Sequence, residues 1–290
     1  MQTNYALEIK GLTKHYKNFH LEDVNLTLPK GSIVGFIGEN GAGKTTTIKL
    51  ILNQIQKQSG TIQVLGLDHE TNEREIKEQL GVVLDEGFFY DSMNPLQIST
   101  VMKSLYKSWD YALFQKYLEK FKLPKKQSIK EFSKGMRMKL SIITALSHHP
   151  ELLILDEPTN GLDPVVRNEI LDLFLDFIQD EEHSILFSSH ITSDLDKIAD
   201  YICFIHEGKI ILQDSKDNIL ENYALLKCTH EEFKNIDRED YVSHRKNAFG
   251  CEVLIKDRSY IKLKYPNLIL DSINLETIML FYILKQEEVK

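Results

Sequence analysis

The segment Gly38-Glu39-Asn40-Gly41-Ala42-Gly43-Lys44-Thr45 limits what this chain can fold into more than any other stretch. It satisfies in full the pattern G-x-x-x-x-G-K-[ST], in which glycines let the backbone curl until successive N–H groups point at phosphate oxygens. Its surroundings agree. Ile33-Val34-Gly35-Phe36-Ile37 is a continuous apolar run, as a strand buried on both faces requires. From Lys44 to about Gln54 the sequence reads as a helix, whose N-terminus adds positive potential where the loop ends. Lys44 is then expected to reach the β and γ phosphates of a nucleotide, and the Thr45 hydroxyl to sit on Mg²⁺. The ATP-binding set read here is Gly38, Asn40, Gly41, Ala42, Gly43, Lys44, Thr45 and the adjoining Thr46.

A second motif completes the chemistry. Leu152-Leu153-Ile154-Leu155-Asp156-Glu157 is an apolar strand that ends in two carboxylates. Asp156 suits a Mg²⁺ ligand, direct or through water. Glu157, at the strand's mouth, suits a base that polarises the attacking water, an effect typically worth about 10²–10⁴ in rate. The two motifs together indicate a nucleotide hydrolase without fixing its family.

The rest of the chain supplies the frame. Ser184-Ile185-Leu186-Phe187 is another buried strand, and residues 165–179 form an amphipathic helix with Ile170, Leu173, Phe174 and Phe177 on one face. Strands alternating with helices imply a mostly parallel sheet covered on both sides. Residues 5–10 and 21–28 alternate apolar and polar positions, as strands at the edge of a half-exposed sheet do. Residues 86–149 carry helical periodicity, with Pro95 and Pro124 as boundaries. Past about residue 220 the pattern changes. Glu252 to Ile255 and Tyr260 to Leu263 read as two short strands around the turn Lys256-Asp257-Arg258-Ser259. A closing helix is expected to start at Asn274 as N-cap, with Leu275, Ile278, Met279 and Tyr282 on one face and apolar residues on the others.

At 290 residues the chain fits a large domain, 1–220, plus a small appendage, 221–290. Charged residues make up 27% and the net charge is −8, which argues against nucleic acid as the main partner. Cys203, Cys228 and Cys251 match no metal or redox spacing and fit a reduced cytoplasmic setting. His148 and His149, before Pro150, have no ligand-spaced partner and read as loop residues. The longest apolar stretch, Ile278 to Leu284, is far short of the roughly 20 residues that span a bilayer, so membrane association is expected only through a partner.

Four motifs in order narrow the family: Gly38 to Thr45, then Phe132-Ser133-Lys134-Gly135-Met136, then Leu155-Asp156-Glu157-Pro158-Thr159-Asn160-Gly161-Leu162-Asp163-Pro164, then Ser188-Ser189-His190. From residue 5 to about 220 the chain resembles the ABC ATPases, and in particular the single-domain ATPases of bacterial ABC-2-type exporters that serve bacitracin, other antimicrobial-peptide and phenol-soluble-modulin efflux. The resemblance implies an α/β P-loop NTPase fold with a mostly parallel sheet, an antiparallel N-terminal β-subdomain, a helical subdomain at about 86–149 and, here, a small C-terminal α+β appendage. It also implies that Ser133 and Gly135 bind the γ-phosphate of ATP held by the opposite subunit. Asp163 would lie on the loop that crosses the dimer interface, His190 would contact the γ-phosphate, and Tyr16 would stack on adenine. The partners implied are a transmembrane subunit and a second ATPase subunit, with the working dimer on the inner face of the cell membrane.

The chain departs from the family pattern twice. The usual signature is Leu-Ser-Gly-Gly-Gln, and Phe132, Lys134 and Met136 replace three of its five residues. Where the family has a Mg²⁺-contacting glutamine, this chain has Asp85, with Glu86 as the alternative. A soluble ABC ATPase acting on ribosomes or DNA is the competing reading. Such proteins carry two nucleotide sites or a long coiled coil, whereas here one site exists and about 48 residues separate Asp85 from Ser133.

Overall fold

The computed structural model of the chain describes residues 4–85 and 89–289. These divide into two units, Met1–Ile210 and Ile211–Lys290. The first unit runs in chain order through β1 (Tyr5–His15), β2 (His20–Pro29), β3 (Ile33–Ile37), α1 (Lys44–Ile51), β4 (Ser59–Val64), β5 (Leu67–Asp68), α2 (Glu73–Gln79) and β6 (Leu80–Val83). Three helices follow, α3 (Pro95–Leu105), α4 (Tyr111–Lys120) and α5 (Lys134–Leu146). The unit then continues through β7 (Leu152–Asp156), α6 (Pro164–Phe177), β8 (Ser184–Ser189), α7 (Thr192–Ile198), β9 (Tyr201–His206) and the start of β10 (Lys209–Ser215).

Two sheets share one core. The antiparallel sheet has the order β2-β1-β4-β5 and the larger sheet the order β10-β9-β3-β8-β7-β6. In the larger sheet β3 pairs in parallel with β8 and β9, and β7 pairs in parallel with β8 and β6. Every residue of β3, β7 and β8 is buried, which is why Ile33–Ile37, Leu152–Leu155 and Ile185–Phe187 read as apolar runs instead of alternating ones. Leu7, Ile9, Val24 and Leu26 of the small sheet meet Val34, Phe36, Ile154 and Leu186 of the large one, with Ile48 and Ile51 of α1 in the same cluster. At roughly 1.5–3 kcal/mol per fully buried side chain, this cluster is the main stabilising element of the unit.

The helical segment has a core of its own, built from Ile98, Phe114, Leu118, Phe132, Leu140 and Ile143. Its entry is set by local chemistry. Asn94 and Gln97 form a capping box and Pro95 occupies the first turn of α3.

Parallel pairing decides where function can lie. Register pairs Ile37 with Ser189 and Asp156 with Ser188, so β3, β7 and β8 end level with one another. The loops leaving those three carboxyl ends are the phosphate loop, the Asp156-Glu157 turn and the segment reaching His190.

The second unit adds α8 (Lys216–Asn222), β11 (Ala224–Cys228), α9 (His230–Phe233), β12 (Ser243–Asn247), β13 (Gly250–Ile255), α10 (Arg258–Lys264), β14 (Ile269–Asp271) and α11 (Leu275–Val289). Its sheet has the order β12-β13-β11-β14, antiparallel throughout. Two expectations are corrected here. Tyr260 to Leu263 is helical, because Asp257 caps the segment by accepting the Tyr260 N–H at 2.9 Å. Only Ile261 of that helix is buried, while Leu263 is 84% exposed, so the apparent alternation is one turn's inward residue and its solvated neighbours. In α11, which Asn274 caps as expected through the Thr277 N–H, the buried residues are Leu275, Ile278, Phe281 and Tyr282. Phe281 takes the inward place that the sequence suggested for Met279, and Leu280 stays half exposed.

Candidate functional site

The phosphate loop is held open by glycine chemistry at two points. A Cβ on Gly38 would lie 2.5 Å from the Ile205 carbonyl oxygen, so only glycine lets β9 pass this close. Gly43 has φ +118°, in the left-handed region, and is packed under the Phe19 ring from the β1–β2 hairpin. The first intrahelical bond of α1 runs from the Thr47 N–H to the Gly43 carbonyl. The N–H groups of Lys44, Thr45 and Thr46 therefore have no acceptor within the helix. No side chain caps this end and no acidic residue lies in its first turn. A helix start whose backbone donors are left free fits an anionic ligand.

Lys44 is 5% exposed and its Nζ lies 2.6 Å from the Gly38 carbonyl oxygen, 3.2 Å from that of Glu39 and 3.2 Å from Glu157 Oε1. Glu157 Oε2 accepts from His190 Nδ1 at 2.8 Å. Its Oε1 is buried and receives no hydrogen bond, only the ion pair with Lys44, so an acceptor is available to a polarised donor. Glu157 stands at φ +53°, rare for a residue with a side chain, and its N–H is fixed by the Ser188 carbonyl at 3.0 Å. Asp156, 3% exposed, accepts the Thr45 hydroxyl at 2.9 Å on one oxygen and the Ser188 hydroxyl at 2.9 Å on the other.

Lys44, Thr45, Asp156, Glu157 and His190 are thus brought together. Ser133, Gly135 and Asp163 form a separate group. Ser133 caps α5 by accepting the Met136 N–H, and Asp163 caps α6 by accepting the N–H groups of Val165 and Val166. Gly135 faces the Val166 side chain, which joins the two caps. Ser133, Lys134 and Asp163 are exposed, and among the described residues no side-chain hydrogen bond or ion pair links them to residues 38–45.

Tyr16 is 43% exposed in the β1–β2 hairpin, with Lys14 Nζ 5.5 Å from its ring centroid. Asn40 and Gly41 are exposed on the phosphate loop, Ala42 is buried in it, and Thr46 is half buried in α1. Asp85 is exposed two residues past Val83, which pairs with Leu155, so it leaves the sheet beside the Asp156-Glu157 turn. Glu86, like Phe88, lies outside the described residues. His148 and His149 lie on the loop that follows α5, as expected, but His148 is buried there. Its ring stacks on Tyr106 at 4.0 Å, and burial pulls its pKa from 6.5 to about 4.

Residues that the motifs left without a role also converge. Asp194, wholly buried, accepts the Thr159 hydroxyl at 2.6 Å on one oxygen and bonds Arg167 Nε on the other. His206 Nδ1 lies 3.6 Å from Glu39 of the phosphate loop. Nothing in the sequence singled out Asp194, a lone carboxylate four residues past His190.

Comparison with known proteins agrees with this geometry. The ABC transporter family model matches residues 21–160. The bacitracin transport ATP-binding protein of Bacillus licheniformis is 35% identical over 211 residues, 72% of this chain and 69% of that one. The lantibiotic transport ATP-binding protein of Streptococcus pyogenes is 38% identical over 224 residues, 74% of this chain and 94% of that one. A solved ATP-binding subunit of an ABC transporter superposes with a TM-score of 0.68 at 27% identity, covering 74% of this chain and 92% of that one. An ATP-binding cassette solved as a post-hydrolysis dimer with ADP and Pi shares the fold, with a TM-score of 0.64 at 18% identity, covering 72% and 98%. The chain belongs to the ABC transporter family, as an ATP-binding subunit with ATPase function.

Proposed function

We propose that this chain powers the export of a peptide antibiotic through a separate membrane subunit, hydrolysing Mg²⁺-ATP at sites shared between two ATPase subunits. The observation that carries the hydrolytic part is the meeting of Lys44, Thr45, Asp156, Glu157 and His190 at the carboxyl ends of three level strands. The donors at the start of α1, with Lys44, take the phosphates. Thr45 and Asp156 would hold Mg²⁺, and Asp85 is read as a further charged acceptor. Among the described residues no group of three or more His, Cys, Asp or Glu could hold a metal. That fits Mg²⁺, which is commonly bound through one or two carboxylates plus substrate phosphates. Glu157 polarises the attacking water, and His190 steadies that carboxylate and faces the γ-phosphate.

The peptide-antibiotic cargo is taken from the relatives, two of which are named for bacitracin and lantibiotic transport. The membrane partner is likewise taken from the relatives, which are named for transport; among the described residues no helix is long and apolar enough to cross a membrane. An apolar groove of about 320 Å³ between Val82, Leu84, Phe89, Tyr90, Met102 and Tyr106 suits a short cytoplasmic helix of that partner, with Tyr90 77% exposed. The chain would then work on the inner face of the membrane. The second unit is read as an accessory element that holds two copies together, since Phe249, Leu263 and Ile269 keep apolar surface exposed on it.

Sharing of sites is testable by mixing. Ser133→Arg in one chain and Lys44→Ala in another each remove activity, and a mixture is expected to regain about one working site per heterodimer. Mixed dimers that form and stay inactive overturn the shared-site reading. Co-purification of the wild-type chain from membranes with an identified membrane subunit tests the transport reading. A chain recovered only with ribosomes or DNA favours the soluble alternative.

A further inference from the structure

We infer that Asp194 is a positioning residue for hydrolysis: through Thr159 and Arg167 its buried carboxylate keeps Glu157, Asp163 and His190 in one fixed arrangement. The inference rests on the reading that Glu157 polarises the attacking water.

The chain path explains why one side chain can do this. Glu157 is followed by a tight turn in which the Asn160 N–H bonds the Glu157 carbonyl at 3.1 Å and the Leu162 N–H bonds the Thr159 carbonyl at 3.3 Å. At its start the turn is tied to β8 by the Glu157 N–H. Its middle is tied, among the described residues, through Thr159, 1% exposed, whose hydroxyl donates to Asp194 Oδ2 at 2.6 Å. The turn ends at Asp163, the cap of α6, and Arg167 sits one turn further along that helix. Arg167 Nε bonds Asp194 Oδ1, and its terminal nitrogen donates to Ser193 Oγ at 2.9 Å. Asp194 itself lies in α7, which begins two residues after His190. Three segments that carry site residues therefore share one anchor.

The anchor is stiff for a physical reason. A fully desolvated carboxylate must keep its donors, since any motion that broke the Thr159 or Arg167 bond would leave charge buried and unpaired. Glu157 needs that stiffness, because its left-handed backbone would relax if the turn were free. Displacing a group aligned for reaction by about 1 Å can lower the rate about 100-fold without weakening binding.

Thr159→Val removes the hydroxyl and keeps the shape of the side chain. It is expected to lower kcat for ATP at least ~10-fold while KM stays within about threefold, the mark of an interaction that acts after binding. Thr159→Ser keeps the hydroxyl and should restore kcat. Asp194→Asn should match Thr159→Val, and the double variant should be little worse than either. Melting curves taken alongside separate a folded, slow enzyme from an unfolded one. If Asp194→Asn does not fold, the Thr159 pair still decides the matter. A folded Thr159→Val with wild-type kcat, or a Ser variant as slow as the Val one, overturns the inference. Glu157→Gln keeps the two ideas apart: if it hydrolyses ATP normally, the underlying assignment of Glu157 fails; if it is inactive while Thr159→Val is normal, only the positioning role fails.

Discussion

Lys44→Met tests the buried ion pair at the heart of the site before any nucleotide is added. The side chains of Lys44 and Glu157 are 5% and 11% exposed, with 3.2 Å between their charged atoms. Removing one partner of a buried pair typically costs 3–5 kcal/mol, mostly from the charge left behind. Glu157 keeps the His190 bond at 2.8 Å, and methionine refills most of the lysine stem, so the lower end, about 3 kcal/mol, is expected. For a unit of this size that lowers Tm by about 6–12 °C. The assay is thermal unfolding of wild type, Lys44→Met, Glu157→Gln and the double variant without nucleotide. The double variant should melt above the sum of the single losses, with a coupling of about 2 kcal/mol. ATP should raise the wild-type Tm by mass action and leave Lys44→Met where it was. A Lys44→Met protein that melts with wild type, or four proteins whose losses simply add, refutes the reasoning.

Three further outcomes are expected. His148 is pulled down from 6.5 to about 4, so the unfolded chain takes up a proton below pH 6.5 that the folded site refuses. Stability should be full above that pH and fall by up to about 3 kcal/mol as pH drops toward 4, and His148→Phe should flatten that slope in urea melts between pH 7.5 and 5. Tyr282→Phe breaks the 2.6 Å hydroxyl contact with Tyr223 and should cost the second unit about 1 kcal/mol, seen as a lower unfolding midpoint; an unchanged midpoint removes that contact from the stability of the unit. Cutting the chain near residue 215, ahead of α8, should turn a nucleotide-free dimer into a monomer in sedimentation, and an intact chain already monomeric at tens of micromolar rules out a dimerising second unit.

Legibility in the sequence followed burial. The strands at Ile33–Ile37, Leu152–Leu155 and Ser184–Phe187 could be read directly, because burial on both faces makes their centres apolar without alternation; the polar ends, Asp156, Ser188 and Ser189, lay outside those strand readings. The phosphate loop and the carboxylate pair were legible because backbone curvature and charge demand particular residues there. Tyr260 to Leu263 misled because four residues hold too little periodicity to separate strand from helix, and the deciding signal was the Asp257 cap. The burial of His148 was hidden for another reason: it packs against Tyr106, and the two lie just past the ends of different helices, which no local pattern reports. The Asp194 network was equally invisible, since a lone acidic residue in a helix reads as a solvated face until Thr159 and Arg167 are seen to meet it.

The central assignment is that Glu157, held between Lys44 and His190, polarises the water that attacks ATP. Glu157→Gln measured for nucleotide binding and for hydrolysis in the same preparation tests it most directly. Binding should persist, turnover should fall by at least ~10²-fold, and a nucleotide-held dimer should appear in gel filtration. Unchanged turnover with binding intact would contradict the assignment.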